Sequence, residues 1–448
     1  MKYGEQYLQE DYLSVIISKK KSNEHSTCFF FFLDSIIALG DNKMIGVSLK
    51  KKKEMSMQCF ESDLQPTDVY LPITNDDVIF VTTENQVHEG DVLGRYTKYD
   101  LPILASISGT VYIPENKTYI QIHNNGEIVE YKKEEIKKEY KKEELISLLK
   151  EAGICGMGGA GFPAYIKYST EEKINTLIVN AVACEPYITS DYVCTLKYTN
   201  EILEAISILM HTFDIKECLI AIKAKSPLLK EKLLTRASEY PKIRVIEVPN
   251  LYPMGWEKSL VRYLKHMDYK KLPIEKGIVV SNISTIYAIS EALFYQKPQI
   301  DRIVTFSGEN MKNPCNVHVK IGTKISTILE KIGGVLPDST LILGGPMMGR
   351  KLDLENDVIF SVTTAVLALP SKAIEETSCI KCGKCTENCP SKISPILIYE
   401  NRNNKKALQR LNPEACIECG ICSYICPAKI LVRNAVIEAK KIVKGEKK

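Results

Sequence analysis

From Ile154 onward the chain alternates short apolar runs with longer stretches in which apolar residues recur every three or four positions. Thr176-Leu-Ile-Val-Asn180, Glu217-Cys-Leu-Ile-Ala-Ile222, Arg244-Val-Ile-Glu-Val248 and Gly277-Ile-Val-Val-Ser281 read as buried strands, and stretches such as Asn200 to Phe213 read as the helices between them. This alternation predicts a mostly parallel sheet with helices on both sides over residues 151–298, a fold that binds ligands beyond the carboxyl ends of its strands.

The texture differs on either side. Residues 67–128 carry short β-rich runs, Val69 to Ile73, Asp77 to Thr82, Val87 to Gly94 and Ile107 to Tyr112, around a Gly90-Asp91 turn. They predict a small β-sandwich of the barrel-sandwich hybrid kind found in lipoyl carriers. His88 and Glu89 flank its turn where a carrier would place a lysine, so the unit reads as scaffold. Residues 129–150 are a Lys- and Glu-rich connector that runs into a helix bearing Leu145, Leu148 and Leu149. Residues 299–350, with strand-like Ile303 to Ser307 and Asn316 to Ile321, a helix near Ile325 to Ile332 and Leu341-Ile-Leu-Gly-Gly-Pro346, predict a β-grasp-like module. Short cysteine-bearing helices fill residues 370–435, and residues 1–66 form an irregular amino-terminal extension. The fold class is therefore multidomain, α/β and α+β.

At 448 residues, a net charge of +4 gives no reason to expect nucleic acid. The longest apolar run, Cys28 to Leu39 after Lys19 to Lys21, contains Asp34 and falls short of the ~18–20 residues needed to cross a bilayer. It reads as a buried strand or as part of an atypical amino-terminal extension, and no transmembrane segment is expected. From Pro390 to the end, twelve Lys or Arg face five Glu, a basic surface suited to solvation or to an acidic redox partner.

The strongest chemical signal is a repeated Cys-x-x-Cys-x-x-Cys-x-x-x-Cys-Pro: Cys379, Cys382, Cys385, Cys389, Pro390, and again Cys416, Cys419, Cys422, Cys426, Pro427. Three thiolates at intervals of three wrap one corner of a cubane, and in paired runs the fourth ligates the other cluster. One [4Fe-4S] cluster is assigned to Cys379, Cys382, Cys385 and Cys426, the other to Cys416, Cys419, Cys422 and Cys389. Structural zinc accepts four thiolates too, but does not ordinarily need the duplicated run or its Cys-Pro ending. Seven further cysteines at irregular spacing fit reduced thiols better than disulfides.

Ahead of the first parallel strand stands Gly153-Ile-Cys-Gly156-Met-Gly158-Gly159-Ala-Gly161-Phe-Pro163. Five glycines in nine residues let a backbone approach a phosphate closely, without the Gly-Lys-Ser/Thr ending of a nucleotide hydrolase.

This loop and Lys167, with Asn180, Cys184-Glu-Pro-Tyr187, Tyr252-Pro-Met-Gly-Trp-Glu257-Lys258, Asn282-Ile-Ser-Thr285, Gly344-Gly-Pro-Met-Met-Gly349 and both cysteine runs, resembles the RnfC family over roughly residues 67 to 435. RnfC is the peripheral subunit of the membrane Rnf complex and is similar to the flavin- and NADH-binding subunit of complex I. The resemblance implies FMN and NADH sites in the crevice beyond the strand ends. It implies that Gly156, Gly158, Gly159, Ala160, Gly161 and Phe162 line the flavin with Lys167 nearby, and that Asn180, Glu185, Asn282 and Thr285 hydrogen-bond to it. It implies a cytoplasmic electron-transfer protein, or one held peripherally on the cytoplasmic face of the membrane, with a redox protein as partner. Relatives that serve proline reductase or cobalamin reduction imply the alternative of a soluble relay without direct NADH oxidation. Ala183 stands where the family has an acid, Ala164 where it has a threonine, Trp256 where a small residue is common, and the family's His-Pro-Pro start is missing. These departures shift weight toward the relay.

Overall fold

The computed structural model describes residues 45–445 except 51, 58–59, 62–63, 135–136, 225 and 372–374. The apolar run Cys28 to Leu39 and most of the amino-terminal extension lie outside the described residues.

Four parallel strands form the central sheet, in the spatial order Ile243–Val248, Glu217–Lys223, Thr176–Ala181, Ile278–Asn282. Successive side chains of a strand face opposite ways, so Leu177 and Val179 enter one apolar layer while Ile178 enters the other. Helices Thr199–Thr212 and Ile283–Tyr295 cover the first layer, and Glu257–Lys265 covers the second. The winding steps outward twice from Thr176–Ala181, then crosses back to Ile278–Asn282 on its other side. The strand order reverses between these two neighbours, and sheets of this kind bind ligands beyond the carboxyl ends of the strands at such a point. Asn180 and Asn282 are paired across the sheet at that point.

An antiparallel sheet of Asp68–Pro72, Tyr119–Asn124, Gly109–Tyr112 and Gln86–Val87 packs with a smaller one of Val78–Ile79, Val92–Tyr96 and Leu101–Leu104. Alternate residues, among them Val69, Leu71, Leu93, Ile103, Ile120 and Ile122, fill the core between them. A six-stranded sheet is built around Asp301–Ser307, which pairs antiparallel with Cys315–Lys320 and parallel with Ala365–Pro370, and helix Ile325–Lys331 packs on it. Ala365–Pro370 lies beyond the 299–350 span expected for this module, yet its residues from Ala365 to Leu369 are fully buried. The cysteine-rich region folds around Ile398, Leu408, Val432 and Val436 and ends in helix Val432–Lys444.

Candidate cofactor crevice and cluster sites

The glycine loop closes on itself where the Gly156 N–H donates to the Phe162 carbonyl (2.9 Å). The Met157 N–H donates to Thr285 Oγ1 (3.0 Å), which moors the loop over the start of helix Ile283–Tyr295. At Gly158 a Cβ would come within 2.6 Å of Asn282 Nδ2, so only glycine fits this approach. Gly158, Gly159 and Ala160 form the exposed tip, and a Cβ at Gly159 would meet nothing within 4 Å. Behind the loop, buried Arg302 donates from Nη1 to the carbonyls of Met157 (3.3 Å) and Ser361, and among the described residues its Nη2 has no partner. An open turn of small residues backed by an under-satisfied guanidinium fits the phosphate of a flavin nucleotide.

The other expected contacts are brought to the crevice with their polar atoms already engaged. Lys167 Nζ donates to the Val280 carbonyl (2.8 Å), and burial lowers its pKa. Asn180 Nδ2 donates to the Gly255 carbonyl (2.8 Å), while its Oδ1 accepts from the Val182 N–H (3.0 Å). Asn282 Oδ1 caps its helix by accepting from the Ser284 N–H (2.8 Å), and its Nδ2 donates to Asp191 (2.8 Å). The carboxylate of Glu185 accepts from the N–H groups of Met347 (2.9 Å) and Met348 (3.0 Å), and burial raises its pKa to about 7 despite them. Gly345 has no room for a Cβ against that carboxylate. These side chains brace the walls of the crevice. Asp191 and Arg302, which now join them, had no local signal, because Asp191 meets Asn282 across 91 positions and Arg302 meets Met157 across 145.

The two cysteine runs repeat one backbone path. Left-handed residues recur at Lys381 and Glu418, at Gly383 and Gly420, and at Lys392 and Lys429. The N–H of Lys381 donates to Cys379 Sγ (3.4 Å), as that of Glu418 does to Cys416 Sγ (3.3 Å). Cys379, Cys382, Cys385 and Cys426 line one cavity, closed by Ile396 and Val432. Burial raises the thiol pKa values of Cys416, Cys419 and Cys422, and the charge of Cys389 is among those that raise each further, so its sulfur lies beside them. Among the described residues no three His, Cys, Asp or Glu converge tightly enough for a single metal ion. Four soft thiols around a cavity suit a cubane better than one zinc.

The second cysteine group abuts the crevice. Tyr252, Met347, Cys419 and Ile421 form a buried apolar cluster against which Cys184 packs. The first group lies at the surface, where Cys382 is exposed and Ile380 is 66% exposed.

Comparison with known proteins agrees with this layout. Family models match at residues 149–291 (Nuo51 FMN-binding domain), 303–351 (SLBB domain) and 378–430 (4Fe-4S dicluster domain). The chain thus combines an FMN-binding domain of the complex I type with a domain for two [4Fe-4S] clusters. It is RnfC-like, in keeping with the order of its motifs. The C subunit of the proton-translocating ferredoxin:NAD(+) oxidoreductase complex of Clostridium ljungdahlii is 33% identical over 58% of this chain and 59% of its own length. The C subunits of the ion-translocating oxidoreductase complexes of Vibrio cholerae and Rhodobacter capsulatus are 33% and 36% identical, over 71% and 57% of this chain and 44% and 51% of theirs. The chain therefore spans about half the length of these relatives. A solved NAD+-reducing [NiFe]-hydrogenase in the air-oxidized state aligns at 14% identity with a TM-score of 0.49, over 66% of this chain and 60% of that one, too weak a likeness to add to the assignment.

Proposed function

We propose that this protein is an iron–sulfur flavoprotein of electron transfer, moving electrons between a nicotinamide donor and a redox partner by way of FMN and two [4Fe-4S] clusters. The observation that carries this reading is the packing of Cys419 with Tyr252 and Met347 in one buried apolar cluster, which sets one cysteine group against residues at the edge of the crevice. Bound flavin accepts a hydride and releases its electrons singly to one-electron centres.

The chain's own part is placement. Gly156, Gly158, Gly159, Ala160, Gly161 and Phe162 form the cradle. Asn180, Asn282, Thr285, Glu185 and Lys167 hold the surrounding backbone still through the hydrogen bonds described above. The group of Cys416, Cys419, Cys422 and Cys389 stands next to the crevice, and that of Cys379, Cys382, Cys385 and Cys426 faces solvent, where a partner can dock. The relatives are named as subunits of ion-translocating complexes, which supports a peripheral place on such a complex at the cytoplasmic face of a membrane. No helix among the described residues is long and apolar enough to cross a membrane. Nothing observed favours the alternative of a relay dedicated to proline or cobalamin reduction.

Anaerobic purification followed by iron, zinc and flavin analysis tests the reading. About eight irons and one flavin per chain are expected, with both chromophores bleached by NADH. Zinc in place of iron, or no metal, would refute it.

A further inference from the structure

The two cysteine runs share one backbone path, yet among the described residues only one of them is covered. Ile417, Cys419 and Ile421 of the second run pack with Tyr252 and Met347 at the edge of the crevice. Gly420, between them, sits so close that a Cβ there would come within 2.5 Å of the Met347 carbonyl oxygen. The equivalent positions of the first run are Ile380, Cys382, Lys384 and Gly383. Ile380 is 66% exposed, Cys382 is exposed, and a Cβ at Gly383 would meet only Glu387 Oε1, at 3.7 Å. One loop is pressed onto a neighbouring unit, while its twin faces outward.

The open loop differs from the docked one in charge. Lys381 stands where the second run has Glu418, and Lys384 where it has Ile421. Glu418 accepts from Lys440 Nζ (2.7 Å), whereas Lys381 is exposed. Lys381 and Lys384 are the charged residues lining the cavity of the first cysteine group, and no acidic residue lines it. Pro427 and Leu397, the neighbour of the lining residue Ile396, extend the apolar surface, with Leu397 44% exposed. An apolar centre rimmed by charge is the makeup of a small protein interface.

We propose that the loop of residues 380–384 is the docking face for a small acidic protein that carries its own one-electron centre. The proposal deepens the electron-transfer reading above, and rests on it for the electron but not for the surface. The docked loop shows the fit this turn makes: its glycine admits a neighbour's main chain, and the residues flanking its second cysteine bury against apolar groups. Gly383 leaves the same close approach open. Ile380 then fills an apolar hollow in the partner, and the partner's carboxylates face Lys381 and Lys384. Docking brings the partner's centre to the side on which Cys382 is exposed. One electron, supplied by the nicotinamide donor of that reading, crosses there: the reduced cysteine-held group is oxidised and the partner's centre is reduced. No bond is made or broken and no proton moves.

Binding without turnover tests the surface. Full-length oxidised protein is titrated anaerobically with a small acidic [2Fe-2S] ferredoxin as the probe, and compared with Ile380→Asp, Lys381→Glu and Lys405→Glu. Metal content and unfolding midpoint check that each variant is folded. Lys381 and its equivalent Glu418 share a left-handed backbone (φ 52° and 58°), so glutamate is accommodated at this position, and Lys381→Glu carries the test should Ile380→Asp not fold. Lys405, exposed at the start of helix Lys405–Leu411 and outside the cavity lining, is the control for overall charge. Ile380→Asp and Lys381→Glu should each raise Kd by roughly 5- to 50-fold and Lys405→Glu by less than about 2-fold, with wild-type affinity falling as salt is added. Equal losses in Lys381→Glu and Lys405→Glu would mean attraction by overall charge and overturn the proposal. So would a wild type that binds no ferredoxin, or a wild-type dimer that Ile380→Asp makes monomeric, which gives the face to a second copy of the chain. A full complement of iron with binding indifferent to Ile380 and Lys381 sinks this proposal and spares the electron-transfer reading. Ferredoxin bound at this loop by protein that holds zinc sinks that reading and spares the surface.

Discussion

Tyr252 donates its buried hydroxyl to the main-chain carbonyl of Cys419 across 2.7 Å, joining the edge of the crevice to a residue 167 positions further along the chain. Burial, then the charges of Glu185 and Cys184, hold the Tyr252 pKa well above its ordinary value, so the hydroxyl keeps its proton and stays a donor. Tyr252→Phe leaves that carbonyl unsatisfied in an apolar setting, at a cost of about 1–3 kcal/mol. The unfolding midpoint should fall. In reconstituted protein, the electron paramagnetic resonance signal of the cluster held by the second cysteine run should shift while the other stays constant. Two unaltered signals would show that the bond positions neither.

Glu185 makes stability depend on pH. Its native pKa is raised from 4.5 to about 7, with burial the leading cause. Below pH 4.5 both the native protein and the unfolded chain hold the proton. Between about 4.5 and 7 only the native protein does, so stability declines as pH rises, by at most about 1.4 kcal/mol per pH unit from this group. Lys53 acts in the opposite sense. Its native pKa is depressed from 10.5 to about 7, so stability rises with pH above 7 as the native amine loses a proton that the unfolded chain retains. Urea midpoints measured from pH 5 to 9 should therefore pass through a shallow minimum near 7. Glu185→Gln should flatten the falling limb and Lys53→Met the rising one, apart from a constant offset for each substitution.

Asp301 holds three units together. Its carboxylate meets Lys297 (2.7 Å), His318 (2.9 Å) and Lys320 (3.7 Å), Lys297 also binds Glu291 (2.7 Å), and Lys320 also binds Glu89 of the sandwich (2.7 Å). Burial alone would raise the Asp301 pKa, but His318 and Lys297 outweigh it and hold the group well below the carboxylate range. Asp301→Asn strands buried cations, and a loss of about 3–5 kcal/mol is expected. Because the network spans the sandwich, the helix Ile283–Tyr295 and the six-stranded sheet, the variant's urea transition should also broaden or split. A single transition of unchanged midpoint would show that the network is dispensable.

What could be read along the chain, and what could not, follows from the range of the interactions. Strands buried on both faces appear as unbroken apolar runs, so those ending near Asn180, Ile222 and Ser281 were visible along the sequence, and the edge strand ending at Val248 showed instead as alternating apolar and charged residues. The repeated cysteine spacing imposes a repeated turn, seen in the matching left-handed residues at Lys381 and Glu418 and at Gly383 and Gly420. Strand order was not visible, because it depends on which connections cross the sheet. Ala365–Pro370 was passed over as a sheet strand although it is as apolar as the others; it lies between Ser339–Leu343 and Asp301–Ser307, outside the span read as one module. Asn282 shows a local rule overlooked: an Asn before the apolar run Ile283 to Ile286 is an N-cap signal, and the side chain is spent on Ser284 and Asp191. Lys53, inside the irregular amino-terminal extension, meets the Ala183 carbonyl across a separation of 130 positions, which no local pattern announces.

The crossing of the two cysteine runs has a consequence that iron analysis can read. If Cys426 completes the group of Cys379, Cys382 and Cys385, then Cys379→Ser and Cys426→Ser damage the same cluster. The double variant should keep about four of eight irons, no fewer than the worse single variant. Combining Cys426→Ser with Cys416→Ser instead strikes both clusters, and iron should fall toward zero. The mirror pair behaves alike: Cys389→Ser should be non-additive with Cys416→Ser and additive with Cys379→Ser. Were each run to hold its own cluster, Cys426→Ser and Cys416→Ser together would spare four irons, and Cys379→Ser with Cys426→Ser would spare none. Anaerobic iron and sulfide counts on the four double variants decide between the two partitions, because the expected outcomes differ by a whole cluster.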